Sequence, residues 1–231
     1  MSDYVIPPPP PVVVPTADGR PFPVRRVYCV GRNYADHAVE MGHDPEREPP
    51  FFFQKNPDDL VTDGRFVYPR VSQDVHHEIE LLVALGSGGR CLTPTEAEAA
   101  IWGYGVALDM TCRDIQAAAK AQGRPWIAAK AFPGSAPCGV ITPAAAIGHP
   151  QRGAVVLRVN DVLRQQGDLS QQIWKVPEII ANLSARFHLA AGDIVLTGTP
   201  SGVGPVAPGD ELEGFIEGVG TLAVRVTCEA D

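Results

Sequence analysis

The sequence contains no C-x-x-C pair, and its five cysteines (Cys29, Cys91, Cys112, Cys138 and Cys228) are scattered and odd in number. That pattern fits reduced thiols better than a disulfide framework or a zinc site. Basic clusters are missing too: 19 Lys and Arg face 27 Asp and Glu, for a formal net charge of −8. A chain with that balance offers nothing to a phosphate backbone or an anionic membrane surface, so neither nucleic acid nor membrane is an expected partner. No apolar run approaches the roughly 18 residues a membrane helix requires. The opening residues, Met1-Ser2-Asp3-Tyr4, lack the basic and apolar regions of a signal peptide, so a cytoplasmic location is expected. The glycines between Gly198 and Gly204 do not follow the G-x-x-x-x-G-K-[ST] pattern of a phosphate loop.

What the sequence does contain is Gly and Pro, 23 of each in 231 residues, with 45% hydrophobic and 20% charged residues. The first pair of counts points to a turn-rich, mainly β chain, and the second to an ordinary globular interior. Residues 1–25 read as a proline-rich lead-in (Pro7 to Pro11) and an edge strand at Val12-Val13-Val14, turned at Asp18-Gly19. Further strands are expected at 27–30, 51–55, 76–86, 101–110, 154–159, 193–197 and 221–226. Helices are expected at 34–41, after the Thr93-Pro94-Thr95-Glu96 capping box, at 114–121 and at 177–187. The segment 126–132 reads as a strand or loop, and Asn160-Asp161, Pro208-Gly209-Asp210 and Gly218-Val219-Gly220 read as hairpin turns. Trp102, Trp126 and Trp174 are assigned to the core. With no internal repeat and no long linker, residues 1–231 are expected to form one α+β domain with a few short helices.

Within the 76–86 stretch two glutamates flank one isoleucine. In a strand Glu78 and Glu80 share one face, while His77, Ile79 and Leu81 share the other. The neighbours Leu81-Leu82-Val83-Ala84-Leu85 are too apolar for a solvated edge, and Asp109 ends the next apolar run. Buried carboxylates side by side repel one another and lose hydration. A hard divalent cation relieves both costs, and carboxylate oxygen is its preferred ligand. The alternative is a solvent-facing carboxylate pair balanced by Arg or Lys. His77 faces away from the glutamates and is expected to pack rather than ligate.

Five segments, 31–37 (Gly-Arg-Asn-Tyr-Ala-Asp-His), 77–81, 108–116, Ala129-Lys130 and 196–204 (Leu-Thr-Gly-Thr-Pro-Ser-Gly-Val-Gly), together resemble the fumarylacetoacetate hydrolase family, in its order. The resemblance runs from about residue 27 to the carboxyl end. It implies a mixed β-sandwich roll, a Mg²⁺ or Mn²⁺ ion held by Glu78, Glu80 and Asp109, a homodimer, and cleavage of a carbon–carbon bond in a β-diketo acid. The stretch 42–55 is similar to bacterial fumarylpyruvate hydrolases of gentisate breakdown.

On that resemblance Lys130 supplies positive charge at the developing enolate, and Arg113, Gln116 and Thr199 hold the substrate. His37, three residues before Glu40, activates water for attack on the C4 carbonyl. Residues 42–50 suit a lid. Oxaloacetate decarboxylation, which needs no attacking water, and isomerisation or decarboxylation of a hydroxymuconate-type diacid are the alternative reactions.

Overall fold

The computed structural model describes residues 4–35 and 48–228. His37, Glu40, most of the expected 34–41 helix and most of the expected lid lie outside the described residues. A six-stranded mixed sheet runs in the order Thr142–Pro143, Ile101–Leu108, Ile79–Leu85, Asp193–Leu196, Arg26–Gly31, Phe51–Lys55. Among the described residues, its only parallel pair joins Asp193–Leu196 to Arg26–Gly31. A five-stranded sheet, ordered Val162–Asp168, Ala154–Val159, Glu211–Ile216, Gly220–Thr227, Arg65–Val67, lies against it.

The two faces of the Ile79–Leu85 strand explain why all seven of its residues are buried. Ile79, Leu81, Val83 and Leu85 pack with Val155, Leu157, Leu212 and Ile216 of the second sheet. Leu82 and Ala84 point the other way, onto Val14, Phe22, Ile141 and Ile194. A strand covered on both sides loses the alternation of apolar and polar residues that a half-exposed one shows, as here. The N-terminal residues that supply the second cover pair as a short ribbon, Val13–Val14 with Phe22–Pro23.

The expected 76–86 strand is in fact two strands that part at Glu78. Val75–His77 pairs with Thr111–Cys112 and Gly204–Pro205 in a separate small sheet, whereas Ile79–Leu85 belongs to the large one. Glu78 sits at the crossing, where its carbonyl accepts from the Asp109 amide at 2.8 Å. The expected sidedness survives the break: the His77 ring meets Gln165 of the second sheet, away from the glutamates.

Among the helices, Pro94–Ala99 starts as its sequence dictates, with Thr93 Oγ1 accepting from the Glu96 amide and Glu96 Oε2 accepting from the Thr93 amide. Arg113–Ala121 and Val176–Arg186 match the expected helices within a residue. The segment around Lys130 is a correction: Ile127–Lys130 is one helical turn, closed by the Lys130 amide on Trp126 O and the Ala131 amide on Ile127 O. Asn160 and Asp161 adopt φ of 50° and 63° and close a true hairpin, as a type I′ turn demands. Pro208-Gly209-Asp210 is a turn but no hairpin, because Gly204–Pro205 and Glu211–Ile216 pair with different strands. Among the described residues no helix is long and apolar enough to cross a membrane.

Candidate active site

Sheet register brings the three acids together. Glu80 lies opposite Ala107 near the start of its strand, so Glu78 before it and Asp109 after Leu108 arrive at the same end of two paired strands. The Leu196 strand ends alongside, and Gly198 donates its amide to Glu80 Oε2 at 2.7 Å. Glycine is required there: φ is 94°, and an added Cβ would lie 2.7 Å from the Asn33 Cβ. One oxygen from each of Glu78, Glu80 and Asp109 falls within 4.8 Å of the others, and all three residues are buried.

Cations balance this cluster unevenly. Lys130, itself 3% exposed, donates from Nζ to Asp109 Oδ2 at 2.6 Å and to Glu78 Oε2 at 2.8 Å. Arg113 Nη2 reaches Glu78 Oε1 at 2.5 Å. Lys55 Nζ lies 2.8 Å from Asp109 Oδ1 and donates to the carbonyls of Met110 and Lys130. Glu80, by contrast, forms no ion pair among the described residues. Burial, with Asp109 and Glu78 close by, pushes its carboxyl well above the usual range. Burial also works against the charge on Lys130, but Asp109 and Glu78 outweigh it and hold the ammonium firmly protonated.

The acids do not face solvent as the alternative required, yet balance by basic residues is real for Glu78 and Asp109 and incomplete at Glu80. Asp109 Oδ1, although close to Lys55, makes no hydrogen bond. Three buried carboxylates, one of which forms no ion pair among the described residues, make a donor set that fits a hard divalent cation.

Above the acids a cleft of about 420 Å³ is lined by Arg32, Phe51, Phe53, Arg113, Gln116, Lys120, Trp126, Lys130 and Thr199. The structure thus places Lys130, Arg113, Gln116 and Thr199 at one opening with the three acids. Arg113 and Gln116, one helical turn apart, are joined by Arg113 Nη1 donating to Gln116 Oε1 at 2.8 Å. Arg113 pairs with Glu78. Trp126 is a second correction: it is half-buried, packed edge-on to Phe51 at 5.3 Å, and forms a cleft wall instead of core. Trp102 and Trp174, also half-buried, do pack on the core.

Sequence reasoning missed Lys55. Its parity held a signal, since Phe51, Phe53 and Lys55 share one side of a strand. Gln165, wholly buried beneath Thr199, gave no signal: its strand alternates neither in burial nor in hydropathy.

Comparison with known proteins follows the same lines. Residues 26–227 match the family model described as fumarylacetoacetate (FAA) hydrolase C-terminal. The chain is 48% identical to a fumarylpyruvate hydrolase from Pseudomonas aeruginosa solved with Mn²⁺ and pyruvate, covering 98% of this chain and all of that one at a TM-score of 0.96. It is 46% identical over 208 residues to the oxaloacetate tautomerase YcgM of Escherichia coli, covering 89% of this chain and 94% of that protein. The mitochondrial oxaloacetate tautomerase FAHD1 of Homo sapiens is 39% identical over 202 residues, covering 87% and 91%. With the triad, the fold and these likenesses in agreement, the chain belongs to the fumarylacetoacetate hydrolase family.

Proposed function

We propose that the protein hydrolyses the C3–C4 bond of an acylpyruvate, fumarylpyruvate foremost, to a carboxylic acid and pyruvate. The carrying observation is the convergence of Glu78, Glu80 and Asp109 with Lys130 and Arg113 at the foot of one cleft. The likeness to the Pseudomonas aeruginosa enzyme supports the choice of substrate. Mg²⁺ or Mn²⁺ held by the three carboxylates supplies Lewis acidity beside the 2-oxo acid.

The chain's own groups do the rest. Arg113, held by Glu78 and Gln116, and Thr199 receive the carboxylate and 2-oxo oxygens. Lys130 is buried and fixed, so its charge faces the electrons left on C3 without reorganising. Water adds to C4, the C3–C4 bond breaks, and C3 takes up a proton. His37, with Glu40 beside it, accepts the proton from the attacking water; both roles are assigned from sequence. A homodimer in the cytoplasm is part of the same family-based reading.

A second reading, keto–enol interconversion of oxaloacetate, is favoured by the identities of 46% and 39% to proteins named oxaloacetate tautomerases. Following the absorbance of fumarylpyruvate, acetylpyruvate and oxaloacetate, with and without chelator, separates the two. Chelator-sensitive cleavage of fumarylpyruvate that is lost in His37→Ala is the expected result. Inert acylpyruvates with rapid oxaloacetate enolisation would transfer the assignment to the second reading.

A further inference from the structure

Beneath the cleft, Gln165 is fully buried and every hydrogen-bonding direction of its amide is committed. Its Oε1 accepts from the Ile79 amide at 3.1 Å and contacts His77 Nδ1 at 3.0 Å. Its Nε2 donates to Pro200 O and to Thr199 Oγ1, both at 2.8 Å. The amide cannot be turned over. The reversed orientation would set its NH₂ against the Ile79 N–H and its oxygen against the Pro200 carbonyl, leaving two buried pairs of like groups.

The consequence falls on Thr199. A hydroxyl has one proton to give, and this one already receives a hydrogen bond from behind. Among the described residues no protein acceptor takes the Thr199 proton, and Thr199 lines the cleft. The loop cannot easily rotate to change this. Gly198 is locked against Asn33, and Gly202 (φ 92°) is packed so closely on the Gln165 strand that an added Cβ would meet Arg164 O at 2.1 Å.

We propose that Gln165 is a positioning residue that sets the polarity of Thr199, so that the hydroxyl offers its proton to the cleft and selects an oxygen acceptor, a carboxylate or 2-oxo oxygen, over a donor. This rests on the reading of the cleft as a 2-oxo acid site. A hydrogen bond to a charged oxygen that is oriented in advance is worth about ten- to a hundredfold in affinity.

The test is pyruvate binding to the Mn²⁺-loaded protein by calorimetry, in a cycle of Thr199→Val, Gln165→Met and the double variant, with thermal unfolding alongside. Gln165→Met is expected to weaken pyruvate binding about tenfold or more in the native background and hardly at all once Val stands at 199. It should lower the unfolding temperature in both backgrounds. Additive losses in affinity would make Gln165 merely structural and overturn the proposal alone. No pyruvate binding by the native protein would overturn it together with the functional reading. Neutron diffraction of the unmodified protein with Mn²⁺ and pyruvate covers a Gln165 variant that does not fold. A deuterium on Thr199 Oγ1 directed at the ligand supports the assignment, and one directed at Gln165 refutes it.

Discussion

Lys55 offers the sharpest test of how the acid cluster is tolerated inside the fold. It is 2% exposed, and its ammonium serves Asp109 Oδ1, Met110 O and Lys130 O at once. Lys55→Met keeps the length and the apolar stem, so no large cavity opens and the loss is electrostatic. Removing one partner of a buried ion pair costs about 3–5 kcal/mol. Asp109 keeps Lys130 at Oδ2, 2.6 Å away, which places the expectation near the lower end, at about 3 kcal/mol. In a chain of this size that corresponds to a fall of about 6–12 °C in melting temperature. Urea unfolding at 25 °C is the measurement. Adding Asp109→Asn to Lys55→Met should cost much less than the two single losses summed, because the stranded charge goes with its partner. A loss under about 1 kcal/mol for Lys55→Met, with additive behaviour in the double variant, would mean that Lys130 alone satisfies Asp109.

Glu80→Gln should abolish calorimetric Mn²⁺ binding, because it removes the carboxylate that no basic residue pairs with among the described residues. Mn²⁺ at a hundred times its dissociation constant should stabilise the native protein by about 2.7 kcal/mol and leave Glu80→Gln unchanged, read as a shift in urea midpoint. Gly198→Ala, forced into φ of 94° with its Cβ against Asn33, should cost about 1–3 kcal/mol and depress turnover; unchanged stability would show that the loop relaxes freely. Thr93→Ala should cost about 1 kcal/mol through the lost cap while leaving kcat intact, since its helix carries no cleft residue.

Period-two parity made the acid cluster legible before any coordinates. It placed Glu78 and Glu80 on one side and His77 on the other, and the structure keeps that arrangement even though the strand breaks between them. Capping chemistry and the Asn160-Asp161 turn were equally legible, because each depends on neighbours within a few residues. The one-turn helix Ile127–Lys130 was not. Four residues carry no helical period, and its closure depends on the Trp126 carbonyl, not on side-chain pattern. Pro208-Gly209-Asp210 misled for the opposite reason: turn residues announce a reversal of the chain, while strand pairing decides whether the reversal is a hairpin.

The residues that escaped notice share a physical character. Lys55 and Gln165 act from behind, each meeting a cleft residue across a large sequence separation, 55 → 109 and 165 → 199. A sequence shows which side chains could do chemistry, but supporting side chains are defined by what they neutralise or orient, which only the register between distant strands determines. The same register explains why three carboxylates survive burial here. Asp109 and Glu78 bring their balancing cations from the Phe51–Lys55 strand and from two helices, and Glu80 is left for a divalent ion to complete. Although all three acids face the cation site, the cations of the chain that stabilise the fold pair with Asp109 and Glu78, and the charge left for a divalent ion to balance is that of Glu80. Lys55→Met should therefore move the urea midpoint far more than it moves Mn²⁺ affinity, and Glu80→Gln should do the reverse. If both variants shifted both quantities in proportion, that division of labour would be wrong.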